Sequence, residues 1–257
     1  MPYQERSVKG FSAITGTMRR FFSKDPNNGP IVLPNHPHIE VSVRHLARAK
    51  RLSLRVSSLD GRITLTAPLH ARRSDIEGFV LEKEDWIAKH HSNCAKPALV
   101  DYGSSIPIEG TSYLVTPGTG ARVSAIGQNL CLPRKSKAPA VQVQAYLKTL
   151  ARDRLAEASD FYAGKLGLPY TRLTLRDTRS RWGSCSSEGA LMYSWRLIMA
   201  PPDVLKYVAA HEVAHLKEMN HSAAFWTVVE HLFGSYKEQR AWLRQNGASL
   251  HQYTFKD

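Results

Sequence analysis

Five consecutive residues, His211-Glu212-Val213-Ala214-His215, and a further histidine at 221 carry the chemistry of this chain. On a helix, residues i and i+4 stand one above the other, so both imidazoles of the pentapeptide reach one metal ion. Glu212, beside the first histidine, is placed to take the proton of a water at that ion. On a continuous helix His221 would lie about 600° around from His215, at roughly 100° per residue, and so on another face. It reaches the same ion only if the chain turns first. Met219-Asn220-His221-Ser222 permits that turn, because Asn220 tolerates a left-handed conformation and Ser222 is a good N-cap for a following helix. Three neutral imidazoles leave the fourth tetrahedral position of zinc open, as in catalytic rather than structural sites. This donor set favours one Zn2+ per chain. His231, His251, Glu218 and Glu230 rank below His221 as the third ligand.

The elements that must hold these residues are legible around them. Pro201-Pro202-Asp203 reads as a helix start, with proline tolerated in the first turn and Asp203 suited to the positive end. Val204, Val208, His211 and His215 then share one stripe. A second helix carries Ala224, Phe225, Val228, Val229, Leu232 and Phe233 and stops at Gly234. Upstream, Leu173 to Asp177 alternates as a strand does, Gly183 to Gly189 is turn-rich, and Ala190 to Met199 reads as a returning strand. Such an edge strand can pair with an extended peptide. Arg179, Arg181 and Tyr193 are candidates for substrate contact or for stabilising an oxyanion. Residue type alone does not choose among them. Cys185 reads as a buried free thiol.

The chain also resembles a known family. Arg181-Trp182-Gly183-Ser184-Cys185, Trp195-Arg196-Leu197-Ile198, the HExxH with His221, Phe225-Trp226 and Tyr236 to Leu243 together look like the YgjP-like zinc metallopeptidase domain, a relative of the SprT-like and minimal zincin peptidases. The resemblance runs from about residue 40 and leaves out the first 35 or so. It implies zinc on His211, His215 and His221, with Glu212 as catalytic base, and a polypeptide substrate. Some family members are credited with nucleotide pyrophosphatase activity instead, so hydrolysis of nucleoside triphosphates at the same metal is the alternative. A non-enzymatic nucleic-acid-binding module with structural zinc is a third reading.

The expected fold class is α+β, a zincin-like metallopeptidase domain preceded by a small β-rich N-terminal domain. Residues 1–37 read as a poorly ordered extension, 38–136 as the β-rich domain with one helix, and 137–257 as the catalytic domain. Within the second, Asp60-Gly61 is a hairpin turn signal. A helix is expected from Ser74, with Glu77 completing a capping box, through His90. Val141 to Leu166 reads as a long helix ending at Gly167.

Lys and Arg outnumber Asp and Glu by 35 to 22, a formal charge of +13. Nucleic acid or another polyanion is therefore a candidate partner. Arg44, Arg48, Lys50, Arg51 and Arg55 make the first hairpin its expected contact. Cysteines 94, 131 and 185 form no CxxC pair and no disulfide framework, which fits a cytoplasmic location. No apolar run reaches the ~18 residues of a membrane span.

Overall fold

The computed structural model describes residues 29–57, 60–92, 97–133 and 138–255. Its buried apolar residues fall into two clusters, one from Ile31 to Ile87 and one from Val100 to Phe255. The first is a four-stranded sheet with two helices against it. Strands β1 (Ile31–Leu33), β2 (His36–His45), β3 (Ser53–Val56) and β4 (Ile63–Ala67) lie in the order β1-β2-β4-β3. Antiparallel pairing of β3 with β4 realises the turn signal at Asp60-Gly61. Strand β1 lies inside the stretch expected to be a poorly ordered extension. Ile31 and Leu33 are buried, so the ordered chain starts earlier than the sequence suggested. The remainder of that extension, residues 1–28, lies outside the described residues.

The single helix expected from Ser74 to His90 is two helices, α1 (Arg73–Glu82) and α2 (Glu84–Ser92). The capping box does not form. Arg72 occupies the N-cap without a side-chain bond, and Glu77 bonds Arg73 instead. The break at Lys83 has a tertiary cause. It brings the Glu84 carboxylate inside to accept hydrogen bonds from the Asn35 backbone N–H and side-chain amide, at 2.8 and 3.0 Å. A buried carboxylate must be hydrogen-bonded, and this requirement overrides the helical propensity of the run.

The second cluster holds the site. It begins with β5 (Ala98–Leu99) and a sheet of β6 (Ser105–Ile108), β7 (Thr111–Gly118), β8 (Ser124–Ile126) and β9 (Asn129–Pro133), in the order β6-β7-β9-β8. Helix α3 (Pro139–Leu166) follows, close to its expected limits. Gly167 ends it in the left-handed region, where glycine pays no Cβ penalty. Val143, Leu147, Ala151, Leu155, Ala158 and Tyr162 recur at three- and four-residue steps and bury one face.

Strands β10 (Arg172–Arg176), β11 (Gly183–Cys185) and β12 (Ala190–Ser194) form a sheet in the order β10-β12-β11, so β11 is an edge. The returning strand stops at Ser194. Trp195–Met199, expected to continue it, coils into a 3-10 turn that is wholly buried. There Arg196 leaves the alternation altogether. Its guanidinium donates to both Asp177 oxygens, at 2.6 and 3.1 Å, and to the carbonyls of Leu250 and Tyr253. Helices α4 (Pro202–Ala214), α5 (Ala223–Phe233) and α6 (Lys237–Asn246) complete the core, and β13 (Tyr253–Thr254) pairs parallel with β5. The whole is α+β, with a strand-rich part ahead of the part that carries the histidines. No helix among the described residues is long and apolar enough to cross a membrane.

Candidate metal centre

Helix α4 positions the first two histidines. Its apolar residues Val204, Leu205, Val208, Ala209 and Val213 are buried, and exposure is confined to its first turns, so the end that carries the half-buried His211 and the buried His215 is held fast in the core. The helix ends at Ala214, and residues 215–217 turn. The turn therefore comes four residues earlier than the Met219–Ser222 segment expected to make it. Ser222 does cap α5, accepting from the Phe225 backbone N–H at 3.4 Å. Between turn and cap, His221 swings back over α4.

The ring nitrogens of His211, His215 and His221 lie within 4.8 Å of one another. Nε2 of His211 and Nε2 of His221 are 3.1 Å apart. The set fits a metal ion by its own chemistry. His215 donates its Nδ1 proton to the Glu218 carbonyl at 2.9 Å, which leaves Nε2 as the lone-pair nitrogen facing the other two rings. Burial, with the neighbouring His215, His221 and Arg240, pushes His211 down to about 3. Burial also lowers His215, outweighing the Glu218 contact. Neutral imidazole is the ligating form. Phe225 stacks on His215 at 4.4 Å, and Trp226 stands 5.6 and 5.8 Å from His211 and His221. This aromatic wall walls off one side of the triad.

Glu212 is 6 % exposed. Burial raises its carboxyl to about 8, and only the Arg181 charge opposes this. Among the described residues it has no hydrogen-bond donor. Such a carboxyl stays ionised only with a cation nearby, and the triad, whose His211 and His215 lie at the end of the same helix, is where one would sit. Gly183 of β11 lies directly on it. A Cβ added to Gly183 would come within 2.5 Å of Glu212 Cγ and Oε1. The edge strand thus presses its backbone against the carboxylate, and only glycine fits.

The other candidates separate. Arg181 is exposed and its charge acts on Glu212. Arg179 points elsewhere, 3.9 Å from Asp60 of the first cluster. Tyr193 is fully buried, with its hydroxyl 3.0 Å from Ser159 Oγ, and presents nothing to solvent. Cys185 stays a thiol, because burial and then the Glu212 charge push it up to about 11. Sequence reasoning overlooked Gly183, Arg240 and the Arg196 clamp. For Gly183 the only available signal was its place between Trp182 and the rest of β11.

Compared with protein families, residues 50–246 match the YgjP-like metallopeptidase domain. The chain belongs to that family, and its fold class is that of a metal-dependent hydrolase of the metallopeptidase type. Family membership implies a metal ion, and among the described residues His211, His215 and His221 form a group that could hold one. Among solved structures, the metallopeptidase zymogen abylysin of Pyrococcus abyssi is similar over 38% of this chain and 92% of its own, at 23% identity and a TM-score of 0.31. A comparison with curated proteins gave no match.

Proposed function

We propose that this chain is a zinc metallopeptidase, with zinc on His211, His215 and His221 and Glu212 as general base. One observation carries the reading: three imidazoles converge at the end of the helix that also carries a buried carboxylate, over which an edge strand lies. A zinc ion there supplies Lewis acidity for an attacking water and for the scissile carbonyl. The chain's own residues do the rest. An extended polypeptide pairs with the free edge of β11, main chain to main chain. Glu212, held in place by the Gly183 backbone, accepts a proton from the attacking water at its carboxylate and returns it to the leaving amine. Arg181 is exposed on the same side and is the better placed of the two arginines to meet the carbonyl oxygen. The aromatic wall of Phe225 and Trp226 covers one side of the rings, and His221 stays open to solvent. The open edge strand favours peptide over nucleotide as substrate, since a nucleotide has no strand to add.

Elemental analysis of the purified chain, with His221→Ala alongside, tests the site. About one zinc per chain is expected, reduced in the variant. Glu212→Gln should keep the zinc and lose cleavage of an unfolded polypeptide. Full turnover by Glu212→Gln removes the proposed base, and release of pyrophosphate from a nucleoside triphosphate without peptide cleavage replaces the substrate.

A further inference from the structure

The outward face of the β10-β12-β11 sheet carries a cationic groove with no assigned role. Strand β10 alternates Arg172, Thr174 and Arg176 with Leu173 and Leu175. The two leucines pack on the second core, so the arginines and Thr174 share the opposite face. In register beside them stand Ala190 and Met192 of β12, then Ser184 of β11. The concavity there, about 450 Å³, is also lined by Arg181. A second concavity of about 440 Å³ meets it at Arg176 and runs to Lys148 and Arg152 on α3.

Five cations thus line a path made of two concavities that share Arg176. Arg152, Arg172, Arg176 and Arg181 are all exposed, and among the described residues none of the four is ion-paired. The one carboxylate lining the path is Asp177, and Arg196 already occupies both its oxygens. Like charges this close repel, and surface arginines commonly find acidic partners. A row of unpaired ones is therefore complementary to an anion from outside. Arg172 and Arg176 are roughly 13 Å apart along the strand, with Thr174 midway, its hydroxyl donating to the Leu191 carbonyl. Of the hydroxyls along the walls, Thr149 and Thr178 already donate to the Ala145 and Arg181 carbonyls, and Ser186, which accepts from the Ala190 backbone N–H, keeps its proton for a ligand.

We propose that this groove binds the phosphodiester backbone of a nucleic acid strand. Four of the five cations are arginine, whose planar fork meets phosphate oxygens in pairs. The groove is a track of donors rather than a set of side-chain pockets, which suits a uniformly charged backbone read without sequence. It differs from the basic hairpin Arg44 to Arg55 that composition suggested. Its position has a consequence for the site. Ser184 lines the groove while the preceding residue, Gly183, touches Glu212, so one strand separates bound nucleic acid from the metal centre.

The test needs no catalysis and stands apart from the peptidase reading. Binding of a fluorescein-labelled single-stranded oligonucleotide of mixed sequence is titrated against the full chain at several salt concentrations. Each phosphate contact on a single strand contributes about −0.7 to the log–log salt slope. Arg172→Gln/Arg176→Gln should weaken binding about tenfold and shrink the slope by about 1.4. Arg152→Gln, on an exposed helix face, should give a smaller loss of the same sign, and it keeps the test decisive if the double variant does not fold. Unchanged affinity and slope in both overturn the proposal, as does loss confined to Arg48→Gln/Arg51→Gln. Equal binding of poly-glutamate, with the same dependence on Arg172 and Arg176, reassigns the groove to acidic polypeptide.

Discussion

Glu212 owes its position to a residue that has no side chain. Glycine at 183 lets the edge strand come into contact with the carboxylate, and any Cβ there would displace it. Gly183→Ala should therefore lower kcat by at least tenfold, while zinc content and melting temperature stay near those of the parent. A 1 Å misplacement of a catalytic group can cost ~100-fold. Unchanged turnover would mean that Glu212 does not depend on the strand. The pentapeptide and His221 were legible because helical periodicity and turn chemistry are local. The Gly183 contact was not, since it joins residues 29 positions apart in the chain through tertiary packing. Tyr193 misled for the same reason. Its type suits an oxyanion contact, but strand parity turns it inward to Ser159.

At the scale of elements, glycine and proline marked boundaries well. Helix α3 stops at Gly167, α4 starts at Pro202 and α5 stops at Gly234, each close to the sequence expectation. The failures lie where a buried polar group imposed the shape. Glu84 breaks the first helix to reach Asn35, and Arg196 takes the end of β12 into a 3-10 turn to reach Asp177 and two carbonyls. Neither partner was close in sequence. Two stability predictions belong here. Leu147→Ala, in the middle of the buried face of α3, should cost about 2–5 kcal/mol in denaturant unfolding. Ser222→Ala removes the α5 cap and should cost ~0.5 kcal/mol, near the low end for caps because the bond is long. It should also weaken zinc affinity, read by competition with a chelator, since the cap fixes the residue next to His221. Zinc affinity equal to that of the parent would show that His221 is held by its ring contacts alone.

For the molecule as a whole, His251 adds to the acid sensitivity that the buried His211 and His215 also bring. Its ring packs 5.4 Å from that of Trp182, and burial, with Arg196 beside it, lowers it to about 4. An unfolded histidine takes up its proton near 6.5. Between those two values the unfolded chain binds more protons, so stability is full above about 6.5 and is lost as pH falls toward 4. Asp177 acts lower. Burial raises it, but the Arg196 hydrogen bonds and charge prevail and hold it below the ordinary carboxylate value. Its contribution is present above that ordinary value and fades only as pH falls through the lowered one. Thermal melts from pH 7 to 4.5 should show a falling melting temperature whose slope is flattened in His251→Gln. An equal slope in the variant assigns the effect elsewhere. The two separate apolar clusters also lead us to divide the chain between Ser92 and Ala98, so that the strands from β6 to β9 go with the metal-bearing part.

The parallel pairing of Ala98–Leu99 with Tyr253–Thr254 has a bearing on the order of events during synthesis. Residues 250–254 leave the ribosome after every other residue of the second core but Phe255. Until they do, Arg196 lacks the Leu250 and Tyr253 carbonyls, Trp182 lacks its contacts at Gly247 and His251, and β5 lacks its neighbour. Those contacts brace the strand that aligns Glu212. A nascent chain can therefore carry all three histidines and still lack the contacts that hold the strand over Glu212 until translation has passed the segment that closes the core.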